Sequence, residues 1–307
     1  MSRRPPRTGR TRPEETSSAH RRAARASRQA LYEPRPFAGR PDEADLVALR
    51  EVVPSATAPL HLRAEPDRDV VLATVLPLAW PAMVRRDGQV VLALQTPARS
   101  GDLGRDLGQA LAAALLAAPG SGLTDLGEPD PTAPRLDDLI TGDPLAVTVH
   151  PGFDWWVTED PTPEVITSLA QANASVVPTR RLRGVEAAYW CRIGARAHLR
   201  WALPYEEDAL LDALARLHVS GGLGLGEQGR YIGAFRACGL VVPVWDTPVG
   251  DGVASTPSGD DALATAVEPA AAAFAGRLAE ALALEAPLTG DERRARAGVV
   301  GRQVTLR

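Results

Sequence analysis

Apolar positions along this chain recur at helical spacing in some stretches and at every second residue in others, and the spacing changes often. After a polar opening stretch, Asp42 precedes a helical run to Val52 in which Leu46, Leu49 and Val53 share a face, closed by Pro54. Strand patterns follow at 58–63 and 70–76. A hairpin is expected next, 81–85 with 90–94, across Asp87-Gly88, a pair suited to a type I′ turn. Leu103, Leu107, Leu111 and Leu115 lie four apart and predict a helix over 102–118. Residues 119–144, rich in Pro, Gly and Asp, read as a surface excursion with one helical turn at 136–140. A strand at 145–149 then bends through His150-Pro151-Gly152 into 153–157.

Thr162 before Pro163 is a helix start, a cap followed by proline at the first helical position, and the run extends to Asn173. Strands are predicted at 176–182, 185–193 and 198–203, a helix at 206–218, and strands at 231–236 and 240–245 after the glycine-rich loop 221–229. Residues 247–264 read as a low-complexity loop, with Pro269 opening a last long helix to Leu284 and a short helix at 291–297 beyond it.

The order helix, strand, strand, strand, helix, strand occurs over 42–157 and again over 163–246. This predicts an α+β protein of two similar units, each a mainly antiparallel sheet with helices packed on one side, and it reads as an internal duplication. The expected divisions are an arginine-rich arm over 1–35, a first unit over 36–160, and a second unit with C-terminal helices over 161–307.

Charge sets the arm apart. Residues 1–40 hold eleven arginines against Glu14, Glu15 and Glu33, a net of +8 in a chain of −4 overall, so the remainder carries −12. With almost nothing apolar to bury, residues 1–30 are expected to be disordered. The arm suits contact with an anionic partner, a nucleic acid or an acidic protein, and equally a solvated tail; no aromatic residues interleave with its arginines to stack on bases.

Every one of the 34 basic residues is arginine. That excludes a phosphate-loop lysine, a kinase-type lysine and a Schiff-base lysine. The apolar run 111–118 falls far short of the roughly 20 residues of a membrane span, and no apolar region follows the basic N-terminus as in a secretory signal. Two cysteines, Cys191 and Cys238, in unrelated contexts make no disulfide framework, and a reducing cytoplasm is expected. No metal site and no cofactor are predicted.

The chain offers four candidate sites. Gly224-Leu225-Gly226-Glu227-Gln228-Gly229 fits a dinucleotide fingerprint literally, but it follows a helix and leads into strands, which favours a binding or flexible loop. Cys191 lies on an alternating strand and His198 falls across the turn on the same face, a conceivable Cys–His nucleophile or a plain structural thiol. Trp190 and Trp201 share the opposite face and, with Trp155, Trp156 and Trp245, form a tryptophan-rich floor, read as core or, with Arg192 or Arg200, as a ligand groove. Glu206, Glu207 and Asp208 open a helix and suit its dipole without a metal.

Six strings in order, "ALREVVPSATA", "ATVLPLAWPA", "LQANASVVPTRRLRGVEAAYWCRIG", "HLRWALPYEEDALLDALARL", "GAFRACGLVVPVWD" and "APLTGDERRARAGVVGRQVTL", resemble an actinobacterial family known as a domain of unknown function. The likeness covers 36 to the C-terminus and implies no activity. Members of that family often begin with a SEC-C-type zinc motif. This chain departs there, with "RTGRTRPEETSSAHRRAA" and no cysteine, and His20 alone cannot hold a tetrahedral zinc. The expected function is a non-enzymatic cytoplasmic binding or adaptor protein; the alternative is a small-molecule enzyme with a pocket near the Cys191/His198 hairpin.

Overall fold

The computed structural model describes residues 32–97, 99–157, 161–250 and 256–301. The expected disorder of the arm falls, over residues 1–31, outside them. Within them the chain folds as α+β, with seven α-helices and two sheets.

The first sheet has six strands in the order β5-β3-β4-β2-β1-β6. They are β1 (Ala56–Leu60), β2 (Val70–Ala73), β3 (Ala82–Val84), β4 (Val90–Ala93), β5 (Gly122–Leu123) and β6 (Thr148–Val149). All pairs are antiparallel except β2 with β4. Helices α1 (Glu43–Glu51), α2 (Leu103–Leu116) and the one-turn α3 (Leu136–Leu139) belong to this half. The β3–β4 connection is not the type I′ turn expected. Gly88 donates to the Arg85 carbonyl, and of the Asp87-Gly88 pair only Gly88 has positive φ, 91°. The chain makes a type I turn over 85–88 with Gly88 absorbing the left-handed step, the longer of the common hairpin solutions.

The second sheet is antiparallel throughout, in the order β10-β11-β9-β8-β7. Its strands are β7 (Thr179–Arg181), β8 (Ala188–Ile193), β9 (Arg196–Trp201), β10 (Arg230–Ala237) and β11 (Leu240–Thr247). Helix α4 (Pro163–Ala174) precedes β7, and helices α5 (Glu207–Val219), α6 (Pro257–Leu282) and α7 (Gly290–Gly301) complete this half. The two sheets do not repeat one another strand for strand: the second lacks a parallel pair.

Helix α6 starts twelve residues before the Pro269 start expected from sequence. Thr256-Pro257 repeats the signal of Thr162-Pro163, with the Thr256 hydroxyl accepting from the Gly259 amide. An interior proline costs about 3 kcal/mol. The turns before it are nonetheless helical because Ala264 and Val267 are buried against the second sheet and Asp260 reaches Arg192 there.

Side chains on one face of the first sheet, among them Leu72, Leu92 and Val84, pack on α1 and α2. Residues 43–49 of α1 are buried all round, because Ala187, Tyr189, Leu240 and Val242 of the second sheet close over the same core. Two acids go inside with α1. Glu43 pairs with Arg35, and Asp45 accepts from the Tyr189 hydroxyl and from Arg181, each at 2.8 Å. The far face of the second sheet packs on α5 and α6 through Trp190, Trp201, Trp245 and Phe274.

The outer face of the first sheet has no helix laid across it. Ala73, Val91 and Ala93 are buried there beneath Met83 of β3 and beneath Trp80, Trp155 and Trp156, from the loops 74–81 and 150–157. The α4 helix follows directly, and none of its residues is buried.

Candidate functional site

That outer face carries a groove of about 350 Å³ lined by Trp80, Met83, Trp156, Val157 and Val165, with Arg85 and Arg86 at its rim. Each wall is fixed from below. Trp156 stacks on Phe153 with ring centroids 4.2 Å apart, and its indole N–H donates to the Val75 carbonyl. Trp155 stands edge-on to Trp156 and donates to Ser55 Oγ, which in turn donates to the Gly152 carbonyl. The Arg85 guanidinium donates to the Trp155 carbonyl and to Gln89. Burial there holds Arg85 below the usual arginine range, with Asp87 and Asp69 opposing. The indole N–H groups of Trp155 and Trp156 are thus used internally, and Trp156 offers the groove a ring surface rather than a donor.

Trp80 follows two successive non-glycine residues in left-handed backbone, Leu78 and Ala79, both at φ 55°. Such residues cost on the order of 1–3 kcal/mol each and collect at sites where the surroundings hold them. Leu78 is 87% exposed beside the groove wall. On the other side Asn173, near the end of α4, accepts from the Phe153 amide and donates to Asp154, pinning the helix to the tryptophan turn. Its first turns stay in water, with Val165 and Ile166 exposed.

The five residues read from sequence as a binding set lie elsewhere. Trp190, Trp201 and Trp245 are buried between the second sheet and its helices, Trp190 donating to Thr247 Oγ1 and Trp245 to the Leu223 carbonyl. Arg192 is buried beside Asp260. Arg200 lies on the opposite face, where its partner across β8 is Tyr189. The expected tryptophan floor is therefore two groups on different sheets, with Trp155 and Trp156 on the first.

Cys191 and His198 are direct cross-strand partners, as their spacing suggested. Burial pushes the Cys191 thiol up, with Arg200 opposing, and burial pulls the His198 imidazole down, with Asp246 opposing. Both shifts favour the neutral forms, the reverse of what a thiolate–imidazolium pair needs.

The glycine loop follows α5 and runs through a single 3-10 turn, 226–228, into β10. Arg277 donates to the carbonyls of Gly222 and Gly224, which ties the loop to α6. The acids at the start of α5 are engaged by arginines: Glu206 by Arg35, Glu207 by Arg236, Asp208 by Arg296. Among the described residues no group of three or more His, Cys, Asp or Glu is placed to hold a metal, and no helix is long and apolar enough to cross a membrane.

The cover on this outer face has a sign in the strand residues themselves. β2 and β4 both read Val-Val-Leu-Ala, apolar on both faces, which a sheet open to water on one side does not need. What that pattern does not show is that loops, rather than a helix, do the covering.

Fold and groove together define an α+β protein with an aromatic groove on the outer face of its first sheet. The chain belongs to a family of unknown function, DUF5926, whose model matches residues 36–307. No curated protein and no solved structure matches it.

Proposed function

We propose that this chain is a non-enzymatic binding protein of the cytoplasm that docks a protein partner on the outer face of its first sheet. The observation that carries this reading is α4, a twelve-residue helix without one buried residue, set beside a groove walled by two tryptophans. Isolated helices of that length are marginal in water and draw their stability from packing. Exposed apolar surface in one patch, rimmed by polar groups, is the usual mark of a protein-docking site. The pKa directions at Cys191 and His198 weigh against the enzyme reading. The arginine-rich arm adds a non-specific contact to an anionic partner, a nucleic acid or acidic protein.

The test is affinity capture from a native lysate with tagged wild-type chain, Ile166→Glu and a deletion of residues 1–31. A protein recovered by wild type and lost with Ile166→Glu is the expected result. Equal recovery by both would remove the docking surface from consideration. For the arm, nucleic-acid affinity that does not change on deletion across a salt series would dismiss the anionic contact.

A further inference from the structure

We infer that the second sheet carries a site for the terminal phosphate of a small molecule, built on Arg196, His198 and Arg200 of β9. The site is separate from the tryptophan groove, which lies on the other sheet. β9 is the central strand of its sheet. Its side chains alternate, so Ala197, Leu199 and Trp201 enter the core with α5 and α6. Arg196, His198 and Arg200 share the opposite face, at steps of about 7 Å. That face is apolar where Tyr189 and Val242 close over α1. Towards the other end of the sheet it becomes basic, with Asp246 paired in register to both His198 and Arg230.

Two buried polar atoms on this face lack a hydrogen-bond partner among the described residues, His198 Nδ1 and Arg200 Nε. His198 is only 8% exposed. Buried polar groups ordinarily have a partner, and their absence at two adjacent positions asks for one. Asp246 does not supply it, standing 3.8 Å from His198 Nδ1 and 3.9 Å from Arg230. No carboxylate pairs with Arg200 among the described residues, whereas Arg181 on the same face has Asp45. Arg200 bears on the ionisation of both Cys191 and His198, and Arg196 on that of His198, so these groups lie close together. Arg196, Arg200 and Arg230 thus face one acid, with Arg196 and Arg230 exposed. A phosphate monoester dianion balances that excess, and a single carboxylate does not. Guanidinium forks match phosphate oxygens. The recessed His198 Nδ1 and Arg200 Nε suit a terminal phosphate rather than the phosphates of a duplex, which lie on a broad convex surface.

The test is titration of the full chain with inorganic phosphate, phenyl phosphate and acetate at neutral pH and constant ionic strength. The readout is the imidazole resonance of His198, assigned through His198→Gln. Wild type is expected to shift saturably with phenyl phosphate. Arg200→Gln should weaken binding roughly tenfold or more, as loss of a hydrogen bond to a charged group does. Arg196→Gln, at an exposed position where folding is not at stake, should weaken it about threefold. Arg183→Gln removes the same charge beside α6, where Arg183 pairs with Glu268, and should leave binding unchanged. Far-ultraviolet circular dichroism confirms folding, and if Arg200→Gln does not fold, the contrast of Arg196→Gln with Arg183→Gln decides. A shift that never saturates, or one that Arg183→Gln weakens as much as the β9 variants do, overturns the site. Acetate binding as tightly as phenyl phosphate overturns the choice of phosphate. Tighter binding of inorganic phosphate, or displacement of phenyl phosphate by a short DNA duplex, overturns the small phosphomonoester as its occupant.

Discussion

The indole of Trp80 lies so close to Gly122 that a Cβ at that position would come within 2.3 Å of the ring. Only glycine permits this contact. β5 is the edge strand of the first sheet, and Met83 of β3 pairs with Gly122 there, so the same two residues join the groove wall to the sheet margin. Gly122→Ala is expected to tilt Trp80 outward rather than unfold the chain, since the indole is half-exposed and can move. Acrylamide quenching of tryptophan fluorescence should rise, with a stability loss near the lower end of the ~1–3 kcal/mol of overpacking. Unchanged quenching would mean that the ring keeps its place.

Arg192 and Asp260 form an ion pair that is nearly wholly buried, 3.2 Å apart between β8 and α6. Removing one partner leaves the other charge inside, so Arg192→Ala or Asp260→Ala should each cost about 3–5 kcal/mol in urea unfolding. Arg192→Met with Asp260→Leu should recover most of that loss. A double variant as unstable as the singles would show that further partners of Arg192 matter more than the pair.

The two cysteines should behave differently toward alkylating reagents. Cys191 is buried and should react only on unfolding. Cys238 is half-buried, and burial, with Glu51 adding to it, pushes its thiol up to about 11. Its reaction rate should therefore climb about tenfold per pH unit from neutrality towards that value. Fast modification of Cys191 in the native protein at neutral pH would revive the nucleophile reading.

Burial lowers the pKa of both His150 and His198 from the ordinary 6.5. The unfolded chain then binds protons that the folded one does not. The stability these residues contribute is complete above 6.5 and is lost as pH falls through the lowered folded values. His150→Gln and His198→Gln should each flatten the decline in stability between neutral and mildly acidic pH. A decline of wild-type steepness in both variants would assign it to the carboxylates.

Much of the fold could be read directly because its signals are local. The Thr162-Pro163 start, the four-residue leucine spacing of α2 and the cross-strand pairing of Cys191 with His198 all depend on residues close in sequence. Local signals point elsewhere where distant packing decides. Pro269 reads as a start because the second-sheet neighbours of the turns before it are invisible in one dimension. Residue type groups Trp155 and Trp156 with Trp245, yet what separates them is which sheet each packs on. The groove was hidden for the same reason, since Trp80 and Gly122 lie far apart along the chain and meet only through β3.

The shared core around α1 has a consequence for any attempt to take the molecule apart. A chain severed between residues 157 and 161 would leave Tyr189, Leu240 and Val242 facing water in one fragment and strip half the cover from α1 in the other. Each piece would then serve as the other's missing layer, and the two would be expected to regain native structure by complementation when mixed.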